Sequence, residues 1–116
     1  MSKHNHINYI ELPASEIEAS KSFFNKVFGW EFADYGPDYC SFVNAGIDGG
    51  FYRSGLKAQS ELGSVLVVLY SSELETTAKN VEAAGGIMIK PIFSFPGGRR
   101  FQFLDPSGNE FAVWSE

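Results

Sequence analysis

The 116-residue sequence is poor in cysteine, in histidine and in basic charge, and it has no long apolar run. A single cysteine, Cys40, excludes an internal disulfide and any cysteine-rich zinc site. It lies in Asp38-Tyr39-Cys40-Ser41-Phe42-Val43, which reads as a strand, and there a small thiol serves packing. Lys and Arg number 9 against 14 Asp and Glu, for a net charge of −5, and Arg99-Arg100 is the one adjacent basic pair. That balance argues against nucleic acid or an anionic membrane surface as a partner. The longest apolar run, Val65 to Tyr70, is far below the roughly 18 residues that a membrane-spanning helix needs. Met1-Ser2-Lys3-His4-Asn5-His6 has none of the apolar stretch of a secretory leader, so a cytoplasmic location is expected. There is also no G-x-S-x-G nucleophile turn, no P-loop and no dinucleotide fingerprint.

What is abundant is aromatic surface. Phe, Tyr and Trp number 11, 5 and 2, and hydrophobic residues make up 44% of the chain, enough for one domain with a ring-rich core. An internal repeat organises it. Ser15-Glu16-Ile17-Glu18 and Ser72-Glu73-Leu74-Glu75 stand 57 positions apart, and each fits a capping box at a helix start. Helical spacing follows in Ile17, Phe24 and Phe28, and again in Leu74 and Val81. Gly29 and Gly85-Gly86 end the two runs. The same offset lays a strand at Ile7–Leu12 on one at Ser64–Leu69. Each helix is followed by short strands: Glu31–Asp34, Tyr39–Asn44 and Gly50–Arg53, then Gly86–Ile89, Arg100–Leu104 and Glu110–Trp114. Asp105-Pro106-Ser107-Gly108 joins the last two as a type I turn.

The expected architecture is therefore α+β, with one β-α-β-β-β unit used twice, about residues 5–55 and 62–116. The sheets are expected to wall a ligand cavity. Loops Ser54–Gly63 and Pro91–Gly98 are its expected rims.

Paired modules of this order resemble the vicinal-oxygen-chelate superfamily, which includes glyoxalases, extradiol dioxygenases and bleomycin-resistance proteins. Ile10-Glu11-Leu12-Pro13-Ala14-Ser15 and Ser22-Phe23-Phe24-Asn25-Lys26-Val27-Phe28-Gly29-Trp30 are similar to the first strand and helix of glyoxalase-like proteins. Val81-Glu82-Ala83-Ala84-Gly85-Gly86 and Asp105-Pro106-Ser107-Gly108-Asn109-Glu110-Phe111 are similar to the matching parts of the second module. The resemblance implies a divalent ion held by His and Glu from the first and last strands of each module. That ion acts as a Lewis acid on a substrate chelated through two oxygens. In this chain the positions so implied fall on Tyr9, Leu66 and Ala112, and on a fourth within Gly50–Arg53. Leucine and alanine cannot ligate, so no metal or other cofactor is expected. His6 and Glu110 would be the fallback ligands, for Ni, Mn, Fe or Zn.

Strand alternation puts Tyr9, Glu11, Tyr52 and Trp114 on the expected cavity wall, with Trp30 and Tyr70 near it. Ring faces with a carboxylate suit a flat or cationic organic ligand. Tyr9, Tyr52, Tyr70, Arg99 and Trp114 are thus the expected binding residues, either Arg99 or Arg100 being able to clamp a carboxylate from its loop. Glu11 is the candidate base in an otherwise apolar strand. Three functions follow: metal-free small-molecule binding of the bleomycin-resistance kind, a divalent-metal-dependent glyoxalase-like lyase or isomerase, and metal-free acid–base catalysis through Glu11. A homodimer is the expected assembly.

Overall fold

The structure is a computed structural model and describes residues 2–116. Eight strands and two α-helices run in the order β1 (Tyr9–Ala14), α1 (Ile17–Phe28), β2 (Glu31–Asp34), β3 (Tyr39–Val43), β4 (Asp48–Arg53), then β5 (Val67–Tyr70), α2 (Leu74–Ala83), β6 (Ile87–Phe95), β7 (Gly98–Leu104) and β8 (Glu110–Ser115). They form two four-stranded mixed sheets, ordered β1-β4-β3-β2 and β5-β8-β7-β6. The first and last strands of each module pair in parallel, Tyr9 with Asp48 and Val67 with Phe111, and the other pairs are antiparallel. This is the tandem β-α-β-β-β arrangement expected from the repeat. Among the described residues no helix is long and apolar enough to cross a membrane.

Alternation decides which face of each sheet is buried. Leu12, Ala14, Cys40, Phe42 and Phe51 point inward from the first sheet, and Phe101, Phe103, Phe111 and Val113 from the second. Helix α1 supplies Ile17, Ser20, Phe23 and Phe24, three and four residues apart, to that core. Phe24 stacks on Trp30 at 4.5 Å and meets Phe51 of the first sheet at 5.8 Å and Phe111 of the second at 4.9 Å. One helix thus serves both modules, and the opposite faces of the sheets are left open. Trp30, expected near the cavity, is 4% exposed and belongs to this core, where it also lines a cavity of about 420 Å³ with Tyr70.

Neither helix begins as expected. The capping positions are Glu16 and Glu73, one residue later than the serines, and neither uses its side chain as a cap. Tertiary and neighbouring partners have taken over that role. The Glu16 amide donates to Ser107 Oγ (3.1 Å), and the Glu73 amide to Ser71 Oγ (3.0 Å). Glu18 and Glu75 turn outward to Lys21 and Arg99 instead of folding back. The glycine ends hold. Gly29 adopts φ 75°, and its amide and that of Trp30 reach Asn25 and Phe24 carbonyls.

The segment 91–98 is not a loop either. Strand β6 runs on to Phe95, absorbing Pro91 between two shifts of register, and a tight turn at Pro96-Gly97 leads into β7. Segment 54–63 is a loop with one short 3-10 turn at Ser60–Leu62.

The turn Asp105–Asn109 locks the modules together. The Asp105 carboxylate accepts from the amides of Ser107 (3.0 Å) and Asn109 (2.8 Å) and from the Ser20 hydroxyl of α1 (2.9 Å). Asn109 is fully buried; its Oδ1 accepts from the Ala58 amide (2.8 Å) and its Nδ2 donates to the Pro13 carbonyl (2.6 Å). Burial raises the Asp105 carboxyl to about 6, and its hydrogen bonds offset only part of that shift.

Candidate functional site on the open sheet faces

On the first sheet, Tyr9 and Glu11 of β1 stand on the open face with Tyr39 of β3 and Tyr52 of β4. The Tyr39 hydroxyl donates to Glu11 Oε2 (2.9 Å) and lies 2.6 Å from the Tyr9 hydroxyl. Because the proton of Tyr39 is committed to the carboxylate, that of Tyr9 must point to Tyr39. The result is a directed chain, Tyr9 to Tyr39 to Glu11. Burial, together with these two hydrogen bonds, holds the Tyr39 phenol above the ordinary tyrosine value, so it stays a donor at neutral pH.

Gly50 makes room for this chain. A Cβ there would fall 2.5 Å from Tyr39 Cζ and 2.8 Å from the Cys40 carbonyl oxygen, so the ring lies across the bare backbone. Glu11 is exposed and has no arginine partner; Arg53 instead pairs with Asp38 (2.9 Å).

The second sheet presents two rows of side chains. Cross-strand pairing aligns Tyr70, Trp114, Arg100 and Phe93 in the first, and Val68, Ala112, Gln102 and Lys90 in the second. Tyr70 and Trp114 meet edge to face at 5.1 Å, and Phe95 lies 6.4 Å from Trp114. The Tyr70 hydroxyl donates to the Glu116 carboxylate, a bond that raises the phenol above its ordinary value. A cavity of about 390 Å³ opens here, lined by Val68, Phe95, Gly97, Arg100 and Trp114.

The predicted site residues are therefore divided. Tyr9, Glu11 and Tyr52 share the first face, and Tyr70 and Trp114 share the second. Arg99 belongs to neither. Its guanidinium grips Glu75 of α2 (2.5 and 3.2 Å), which puts it on the helix side, and alternation gives the open face to Arg100. Tyr39 and Gln102 escape a reading based on motifs, and of the two arginines named as possible clamps it is Arg100 that faces the cavity. Counting alternate residues outward from Phe42 and from Phe101 would have placed all three.

Glu110 is likewise not the solvated strand end its place beside a turn suggests. It is 6% exposed, and its carboxylate accepts from the Ser60 amide (2.7 Å), the Ser60 hydroxyl (2.8 Å) and the Gln102 amide (2.5 Å). Burial pushes this carboxyl up, but the hydrogen bonds outweigh it and leave it below the ordinary range. His6 stands before β1 in an N-terminal turn, its Nδ1 2.9 Å from the His4 carbonyl.

The residues do not fit the metal ion that the resemblance implies. Ala112 is a fully buried methyl group, facing Val68 across the strands. Tyr9 is occupied by Tyr39, and Gly50-Phe51-Tyr52-Arg53 supplies no imidazole or carboxylate. Among the described residues no group of three His, Cys, Asp or Glu could hold a metal.

Comparison with known proteins agrees on the fold. The model of the Glyoxalase/Bleomycin resistance protein/Dioxygenase superfamily matches residues 6–113. An anthracycline biosynthesis protein of Streptomyces sp. (strain C5), DauV, is 28% identical over 91% of this chain, and one of Streptomyces peucetius, DnrV, is 27% identical over the same share. The chain spans 45% of the length of either relative. Among solved structures, a glyoxalase-related enzyme from Fulvimarina pelagi superposes with a TM-score of 0.80 at 20% identity, covering 97% of this chain and 88% of that one. The fosfomycin resistance protein FosX from Listeria monocytogenes does so with 0.77 at 17% identity, covering 98% and 95%.

Proposed function

This chain belongs to the glyoxalase/bleomycin resistance protein/dioxygenase superfamily, and on that premise we propose that it binds a flat organic molecule on its open sheet faces without a metal ion. One observation carries the reading. Where the family resemblance asks for metal ligands, this chain has Leu66, just before β5, and Ala112, and the rings of Tyr70 and Trp114 stand beside Ala112 on its face of the sheet. Rings offer stacking area at little entropic cost, and the few fixed polar groups among them set orientation. The names of the Streptomyces relatives support the same class of ligand, because anthracyclines are flat fused-ring molecules.

The proposal includes a homodimer and a cytoplasmic location. Strands β1 and β5 each stand at the edge of their sheet with one side unpaired. Near them Ile7, Ile47, Val65, Val68 and Tyr70 are exposed, an apolar border that a second copy would cover. A free, buried Cys40 accords with a reducing compartment.

A second reading rests on the hydrogen-bonded chain of Tyr9, Tyr39 and Glu11. A carboxylate fixed by a phenol can take a proton from a bound ligand, so the same face would support metal-free acid–base catalysis. A divalent-metal lyase is the reading that the missing ligands disfavour.

The test is calorimetric titration of chelator-treated protein with a soluble anthraquinone. Saturable binding that weakens about tenfold in Trp114→Ala is expected, since a lost aromatic stack is worth ~0.5–1.5 kcal/mol in addition to the apolar area it buries. No binding would refute the reading. Turnover that survives chelator and disappears in Glu11→Gln would establish the second.

A further inference from the structure

The protein holds three arginines, and two of them are matched to acids: Arg53 to Asp38 and Arg99 to Glu75. Among the described residues the Arg100 side chain takes part in no ion pair and no hydrogen bond, and its Nε is buried without a partner. Only the Nε is withdrawn from water, and a buried donor without a partner is costly, so the side chain needs a reason to stay. Here it is held in place by aromatic rings. Its guanidinium carbon lies 5.4 Å from the Phe93 centroid and 5.8 Å from that of Phe95, and Trp114 is its cross-strand neighbour on the other side. It also lines the 390 Å³ cavity.

Two residues further along the strand, Gln102 is 2% exposed. Its amide can be oriented in only one sense, because the Glu110 carboxylate accepts and cannot donate, so the nitrogen must face Glu110. Its Oε1 is left as an acceptor with no partner. A buried orphan donor and a buried orphan acceptor thus sit two residues apart on one strand, at the edge of an aromatic cavity. Protein groups of this kind are ordinarily satisfied, and a cluster of exceptions calls for an explanation. The neighbouring acids do not provide one. Glu110 accepts from Ser60 and Gln102 and Glu116 takes the Tyr70 hydroxyl, and neither comes within ion-pair distance of Arg100.

The geometry points to a planar aromatic carboxylate as the ligand of this face, its ring system against Trp114 and Phe95 and its carboxylate side-on to Arg100, accepting from the unpartnered Nε; the Gln102 oxygen, itself an acceptor, takes no part in that contact. This deepens, and rests on, the reading of the open faces as a site for a flat molecule. It departs from what the net charge of −5 suggests, which is a cationic ligand. Local field, not total charge, sets the preference: Arg100 stands at the aromatic cavity with no ion-pair partner, while the ionised Glu110 carboxylate is held by its own hydrogen bonds and by the charge of nearby Lys90.

The test compares anthraquinone-2-carboxylate with its neutral carboxamide by calorimetry on the full chain. A charge-assisted pair is worth roughly 1.5–3 kcal/mol, so the acid should bind about tenfold or more tightly. Arg100→Gln should erase the difference while retaining carboxamide binding, Arg100→Lys should restore part of it, and Arg53→Gln should leave it unchanged. Equal affinity for acid and carboxamide in the wild type would overturn the anion site and leave the flat-ligand reading standing. Failure of both compounds to bind would overturn the two together.

Discussion

Gly50→Ala is a small change with a large expected effect. The backbone at Gly50 is not in the left-handed region, so alanine pays no conformational penalty; on that account alone it would stabilise by about 0.4–1 kcal/mol through the unfolded chain. The steric account runs the other way. The new methyl would lie 2.5 Å from Tyr39 Cζ, closer than carbon atoms approach, and 2.8 Å from the Cys40 carbonyl. Tyr39 must swing off the sheet, abandoning both Tyr9 and Glu11. Overpacking costs about 1–3 kcal/mol and two partly exposed hydrogen bonds about 1 kcal/mol more, so the net loss should be ~1–3 kcal/mol. In a chain of this size that lowers Tm by roughly 4 °C for each kcal/mol.

A double-mutant cycle isolates the cause. In a Tyr39→Ala background the same methyl meets only the Cys40 carbonyl, and Gly50→Ala should cost less by 1 kcal/mol or more, on the order of a direct steric coupling. Urea denaturation followed by tryptophan fluorescence reads all four corners. Equal cost in both backgrounds, or a Gly50→Ala protein as stable as the wild type, would refute the proposed packing of Tyr39 over Gly50.

Three other expectations concern buried polar groups. The Asp105 carboxyl, raised from 3.8 to about 6 in the folded state, holds its proton more tightly there than in the unfolded chain. Its contribution to stability is therefore greatest below pH 3.8 and is lost as pH rises to about 6, by on the order of 3 kcal/mol. The difference in stability between wild type and Asp105→Asn should shift by that amount over this window; a difference independent of pH contradicts it. Asn109→Ala strands the Ala58 amide and the Pro13 carbonyl and should cost on the order of 3 kcal/mol in chemical denaturation, whereas a loss below about 1 kcal/mol would show that water replaces the side chain. Burial raises the Cys40 thiol, so a thiol reagent should modify it only as fast as the protein unfolds.

The fold was legible because it is written twice. The 57-residue offset, the apolar spacing of Ile17 and Phe24 against Leu74 and Val81, and the glycine ends place the helices within a residue or two. Alternation put Tyr9, Glu11 and Tyr52 on one face of the first sheet and Trp114 on the face of the second that it shares with Tyr70, as the strand pairing has them. What local rules could not supply were tertiary partners. Ser107 caps α1 from 91 residues away, and Ser60 closes over Glu110 from another element, so a serine box and a solvated glutamate were the natural but incorrect expectations. Pro91 suggested a loop because proline ordinarily breaks a strand, and the shifted register that accommodates it has no sequence signature. Arg99 and Arg100 look alike in sequence; one residue of alternation separates a surface ion pair from a cavity wall. Alternation from Phe42 could have put Tyr39 on the open face, but its place opposite Tyr52 and across Gly50 needed the cross-strand pairing.

The claim that most needs testing is that the open faces work without a metal. Chelator-treated protein titrated calorimetrically with Ni²⁺, Mn²⁺, Fe²⁺ and Zn²⁺ should give no stoichiometric binding, because Tyr9, Leu66 and Ala112 stand where ligands would have to be. Micromolar or tighter binding of one ion per chain, abolished by His6→Ala or Glu110→Gln, would contradict the account and make the metal-dependent lyase the better reading.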